Sequence, residues 1–211
     1  MPGDPLALMT APFVPPSRTG SAWFFAGLTS SFPDIASQDG KLSDYRSCSQ
    51  ELTQGCKAFS VSRSDSSHAV EVELQDPAAN VDLKDQVLVF QHRGKFHAIG
   101  HVSTPLSLLH LGMGHQLIEN KRQRCPHSSF PLSEGRLFDI EDFGIVLSTG
   151  ITCSKHDWSF DLHSGQADRG TYKLGIWEVQ LRPLTDSQRT EFREETPEVK
   201  GLWVRRKQRI G

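Results

Sequence analysis

The sequence predicts an all-β protein. Apolar residues recur at strand spacing between residues 68 and 182, short Gly-containing turns separate the runs, and no helical pattern of twelve or more residues interrupts them. Val70, Val72 and Leu74 alternate with Glu71 and Glu73, the pattern of a half-buried strand. Val87 to His92 and Lys95 to Ile99 flank Arg93-Gly94, which predicts a hairpin around a two-residue turn. Further short strands are predicted at 145–148, 151–153, 158–162 and 175–181, and only 186–196 reads as weakly helical. The core expected is one β domain over 68–182, made of antiparallel sheets.

The flanks read differently. Residues 1–67 are rich in Ser, Pro and Gly and are expected to form an irregular, partly disordered arm. Within it, the aromatic island Ala22 to Ala26 is expected to pack onto the main domain, and Lys57 to Val61 to form an edge strand. Residues 183–211 read as a charged tail ending in the basic run Arg205, Arg206, Lys207 and Arg209, either solvated, docking an acidic partner, or pairing with the preceding Glu191, Glu194, Glu195 and Glu198. At 211 residues the chain suits one domain with extensions or two small ones. Its net charge of −2 gives no global field toward nucleic acid or membrane, and no run of 18 apolar residues predicts a membrane span. The start, Met1 to Pro5, lacks the basic flank of a signal peptide, and four cysteines are too few for a disulfide scaffold, so a reducing, cytoplasmic setting is expected.

The chemistry is concentrated in Cys125-Pro126-His127 and Cys153-Ser154-Lys155-His156. Each motif offers one thiolate and one imidazole, and both are good ligands for iron. Pro126 fixes its own φ and stiffens the first loop. Two facing loops of this kind supply Cys₂ to one iron and His₂ to another, as in a Rieske 2Fe–2S centre. The same four groups also satisfy one tetrahedral zinc ion.

From residue 68 to 182 the chain resembles a Rieske domain. The first loop, C-P-H-S-S-F-P-L-S-E-G over 125–135, carries Pro131-Leu132 and Gly135 at the family's usual places. The second, C-S-K-H-D-W-S-F-D-L-H-S-G over 153–165, resembles that of ring-hydroxylating oxygenases and Rieske ferredoxins, with Trp158, Phe160, Asp161 and Gly165 in register. The resemblance implies one 2Fe–2S cluster per chain, held by Cys125, His127, Cys153 and His156. It also implies reductase and acceptor proteins as redox partners. High-potential respiratory members carry a disulfide between the loops and hydroxyl donors to the sulfurs. The matching positions here are Phe130 and Lys155, and Trp158 and Phe160. The resemblance therefore implies a low potential, toward the ~−150 mV end of the Rieske range. Solvent-facing imidazoles imply a potential that also responds to alkaline pH.

Three departures from the family stand out. The 25 residues between His127 and Cys153 exceed the usual interval, which predicts an extended hairpin over Phe138 to Gly150 carrying Asp139, Glu141 and Asp142. Residues 164–182 contain no proline, and Gly170-Thr171 stands where Gly-Pro is common in the third loop that covers the cluster in the family, leaving that cover unaccounted for. Residues 102–121 form an unusually long insertion with two readings. One is a flap beside the cluster. The other is untranslated sequence, since Val102-Ser103 can be encoded by GTGAGT, which resembles a splice donor.

Of the remaining histidines, His97 reads as a strand residue, His101 as a neighbour of the first loop without a ligand role, and His110, His115 and His163 as surface residues. Cys48 and Cys56 read as reduced structural thiols. After residue 182 only 29 residues remain and none is His, so this chain alone is not expected to complete the two-His, one-carboxylate site of an oxygenase. The expectation is a ferredoxin-like carrier rather than a complete catalyst. The alternatives are a subunit or fragment of an oxygenase, or a non-redox zinc-binding or scaffold protein.

Overall fold

The computed structural model describes residues 22–36, 40–48, 51–62, 65–74, 86–100, 130–193 and 198–207. They form strands β1 (Phe24–Leu28), β2 (Tyr45–Cys48), β3 (Glu51–Gln54), β4 (Cys56–Val61), β5 (Ala69–Val72), β6 (Gln86–His92), β7 (Lys95–Gly100), β8 (Arg136–Asp142), β9 (Ile145–Thr152), β10 (Ser159–Asp161), β11 (Trp177–Pro183) and β12 (Lys200–Arg206). One helix, α1 (Asp186–Phe192), and 3-10 turns at Thr29–Ser31 and Leu132–Glu134 complete the described elements. The all-β reading stands.

The run Val87-Leu88-Val89-Phe90 is fully buried, because β6 lies inside the antiparallel sheet β5-β4-β6-β7 and both faces of that sheet are covered. Val87 and Val89 face one core with Phe59, Val61 and Ala98, closed by Phe24 and Ala26 of β1 and by Leu202 and Val204 of β12. Leu88 and Phe90 face a second core with Cys56, Ala58 and Ile99, closed by Leu132, Leu137, Ile151, Cys153, Phe160 and Leu174. A strand buried on both faces reads as a continuous apolar run rather than an alternation. The sheet β1-β12-β11 covers the first face and β10-β9-β8 the second. Gly100 N–H donates to Gly175 O at 2.7 Å, joining β7 to the start of β11.

Both predicted hairpins form. Arg93 and Gly94 take φ of 47° and 74°, and Phe143 and Gly144 take 49° and 78°, so each turn has two left-handed residues matching the strand twist. At the base of the first, the buried His92 ring contacts Ile35 O through Nδ1, and its Nε2 lies 3.3 Å from Asp139 of β8. Arg93 reaches the same carboxylate at 2.7 Å.

Four expectations are corrected. Residues 22–61 are not simply an irregular arm: they supply four strands, and Phe24 and Ala26 are core. The segment from Lys57 to Val61 is not an edge strand, since β4 pairs with β5 on one side and β6 on the other. Val70 is 64% exposed, because β5 is itself the edge; Val72 and Leu74 do pack against the core. The C-terminal segment is not a solvated tail. β12 is the centre of its sheet, and two of its charges are engaged locally: Arg205 pairs with Glu178 at 2.6 Å and stacks on Trp23, while Arg206 stacks on Trp177. The helical expectation near 186 is met by α1, which Thr185 and Gln188 open with a capping box.

If β12 closes the first core, Leu202→Ala costs about 2–5 kcal/mol, whereas Lys207→Ala stays within about 0.5 kcal/mol. Urea titration of the two variants measures this difference; equal midpoints would restore the tail reading.

Candidate metal centre

The second motif is the connection between β9 and β10, which pair through Thr152 with Ser159 and Ile151 with Phe160. Cys153 is fully buried and belongs to the second core, while His156, three residues on, is exposed. The turn is closed by Cys153 N–H donating to Trp158 O at 2.8 Å and Asp157 N–H donating to Cys153 O at 3.0 Å. Asp157 takes φ of 54°, a conformation that Asp tolerates better than most residues. The loop therefore presents its sulfur from inside the protein and its imidazole toward solvent.

The flank of the first motif meets this loop. Phe130 is partly buried against the second core, Pro131 is buried, and Leu132 is fully buried. A Cβ on Gly135 would lie 2.9 Å from the Ile151 side chain, so only glycine lets the turn lie this close to β9. Lys155 Nζ stands 5.9 Å from the Phe130 ring centre, and Ser154 Oγ donates to Glu134 O. Glu134 in turn accepts from Ser43 Oγ at 3.1 Å and pairs with Lys41 at 2.6 Å. Leu42 N–H and Ser43 N–H donate to Gly135 O and Ser133 O, each at 2.8 Å. The segment 41–44 thus clamps the turn that follows the first motif. Sequence reading missed it, because a polar clamp between distant segments leaves no periodic signal.

Residues 165–174 pack against the other side of the second loop. Asp168 N–H donates to Ser159 O at 2.8 Å. Tyr172 meets Trp158 edge-on at 5.1 Å, and Arg169 lies 5.7 Å over Trp158 while donating to Asp157 O at 3.1 Å. Gly170 takes φ of 69°, and a Cβ there would lie 3.2 Å from Trp158. Hydrogen bonds and aromatic contact hold this segment without proline. Phe160 is core and Gly165 takes φ of 76°, which accounts for both in the motif. Asp161 accepts from Ser148 Oγ at 2.8 Å, Ser164 Oγ at 2.6 Å, His163 N–H at 3.0 Å and Ser164 N–H at 3.1 Å. Burial acts to raise its carboxyl pKa, but these donors outweigh burial and hold it below the ordinary value.

Cys125, His127 and all of 101–129, including the 102–121 insertion, His101, His110 and His115, lie outside the described residues. His97 is on β7 as expected, stacked on Phe90 at 5.5 Å. Burial, with His92 and Lys95 nearby, lowers its pKa to about 4, so it is neutral at pH 7. His163 is exposed. Cys48 and Cys56 are thiols: Cys48 donates to Ser30 O at 3.1 Å, and burial in the second core pushes the Cys56 pKa up. Among the described residues no helix is long and apolar enough to cross a membrane.

The sequence model of the Rieske [2Fe-2S] domain matches residues 64–174, just over half of the chain. The chain belongs to the Rieske family. Its antiparallel all-β fold is consistent with that of a Rieske-domain protein, and the family's cofactor is a 2Fe–2S cluster serving electron transfer to partner proteins. Searches of curated proteins and of solved structures found no match to the chain.

Asp161→Asn removes a charge that four donors surround and lowers stability at neutral pH by about 1–3 kcal/mol. The depressed carboxyl stabilises the fold above its unfolded pKa of about 3.9, and this contribution is lost as pH falls through the lower folded value. The gap between wild type and variant, measured by denaturation, is therefore level near neutrality and narrows below about pH 4. A gap independent of pH would contradict this assignment.

Proposed function

We propose that Cys153 and His156, with Cys125 and His127, hold the cluster, and that the protein is a ferredoxin-like, low-potential one-electron carrier between a reductase and an oxygenase or similar acceptor. What supports this most is the meeting of the two motif flanks, Lys155 over Phe130 and Ser154 on Glu134. Phe130 and Lys155 occupy the positions at which respiratory members carry the inter-loop disulfide, and here they are neighbours joined by a cation–π contact instead.

When bound, the cluster supplies a one-electron couple. The chain's part is to bind, orient and shield it. Cys153 offers its sulfur from a dry core lined by Leu132, Ile151 and Phe160. His156 offers its imidazole at the surface, where a partner can approach. Trp158 has an indole N–H to donate and Phe160 has nothing, so fewer donors stabilise the reduced cluster than in the high-potential type. Cys48 and Cys56, as thiols, suit a reducing, cytoplasmic setting.

Purified protein should be red-brown with two irons and two sulfides per chain. Cys153→Ser and His156→Ala each lose the chromophore, whereas Cys48→Ser retains it. The midpoint potential falls below zero, near −150 mV. A colourless protein with stoichiometric zinc, or a positive potential, would overturn this reading.

A further inference from the structure

The charges around the second loop are unbalanced. Lys155 lies within the loop, Arg136 pairs with Thr152 one residue before Cys153, and Arg169 and Lys173 belong to the segment packed against Trp158. All four cations are exposed. Of the nearby carboxylates, Asp168 is paired with Arg169 at 3.0 Å and Glu134 with Lys41 at 2.6 Å. Among the described residues, Arg136, Lys155 and Lys173 make no ion pair.

Two of the cations are held in place by aromatic faces, Lys155 by Phe130 and Arg169 by Trp158. The chain as a whole carries −2, so this positive face is a local feature set against an overall negative molecule. At the far end of β8 and β9, Glu141 and Asp142 are exposed. A run of seven strand residues separates the two ends by about 20 Å. Such an asymmetric field orients an approaching partner before contact.

We propose that this face is the docking surface for an acidic redox partner, one whose own redox centre is ringed by carboxylates. The carboxylates would meet Lys155, Lys173 and Arg136 and bring the acceptor over His156. The proposal rests on the reading that Cys153 and His156 hold the cluster.

Small oxidants of opposite charge probe this face directly. The holoprotein, reduced with dithionite, passes one electron to hexacyanoferrate(III) or to tris(phenanthroline)cobalt(III), each iron or cobalt going from the trivalent to the divalent state. Stopped-flow rates are followed as ionic strength rises from about 0.01 to about 1 M, which contracts the screening length from ~30 to ~3 Å. The proposal expects the hexacyanoferrate rate to fall with salt and the cobalt rate to rise. Lys155→Glu and Lys173→Glu together should lower the low-salt hexacyanoferrate rate about tenfold and flatten its salt dependence. Lys173→Glu alone, outside the ligand loop, should move both in the same direction if the double variant loads poorly. The net charge of −2 by itself gives the opposite sign, a hexacyanoferrate rate that rises with salt. That result, or rates indifferent to charge reversal, would overturn the docking proposal and leave the cluster assignment standing. A protein lacking a 2Fe–2S spectrum would overturn both.

Discussion

The rest of the structure depends on the burial of β6 on both faces. Val87 and Val89 face one core while Leu88 and Phe90 face another, so a single strand is the shared wall of two hydrophobic clusters. The first core is closed by the N- and C-terminal strands β1 and β12. The second is closed by the turns and strands that carry the motifs. Cys153 sits in that second core, so its position is set by the packing of Leu88, Phe90 and Ile99 beneath it.

Above this floor, polar contacts fix what packing alone leaves loose. Each side of the second loop is braced by a different segment: Ser154 by Glu134, itself held by Lys41 and Ser43, and Asp157 and Trp158 by Arg169. Asp161 anchors the following turn through hydrogen bonds to its carboxylate. His156 is exposed and Cys153 lies inside the second core.

Some of this was legible in the sequence and some was not, for physical reasons. The hairpin around Arg93-Gly94 could be read because turn chemistry and apolar runs are local, and the one over Phe138 to Gly150 because the interval between the motifs is longer than the family's. The second loop was matched to the family through Trp158, Phe160, Asp161 and Gly165, and the structure gives two of these a physical reason: Phe160 is core and Gly165 has positive φ. The strands β1 to β4 were under-read because their residues are short apolar islands in Ser- and Gly-rich surroundings, and their burial is decided by strands far away in the chain. The basic end misled for a related reason: Arg205 and Arg206 look solvated in sequence, yet Glu178, Trp23 and Trp177 accommodate them in a central strand. The clamp from Lys41 to Glu134 and the Arg169 contact are tertiary pairings of polar residues, invisible to periodicity.

The central claim is that two imidazoles and two thiolates share one cluster. Pulsed electron paramagnetic resonance on the reduced protein tests it most directly, because nitrogen bound to iron leaves a hyperfine signature. The account predicts couplings from two ¹⁴N nuclei, which shift when histidine is labelled with ¹⁵N and are reduced to one in His156→Cys. A 2Fe–2S signal without nitrogen coupling would mean all-cysteine ligation and would contradict it.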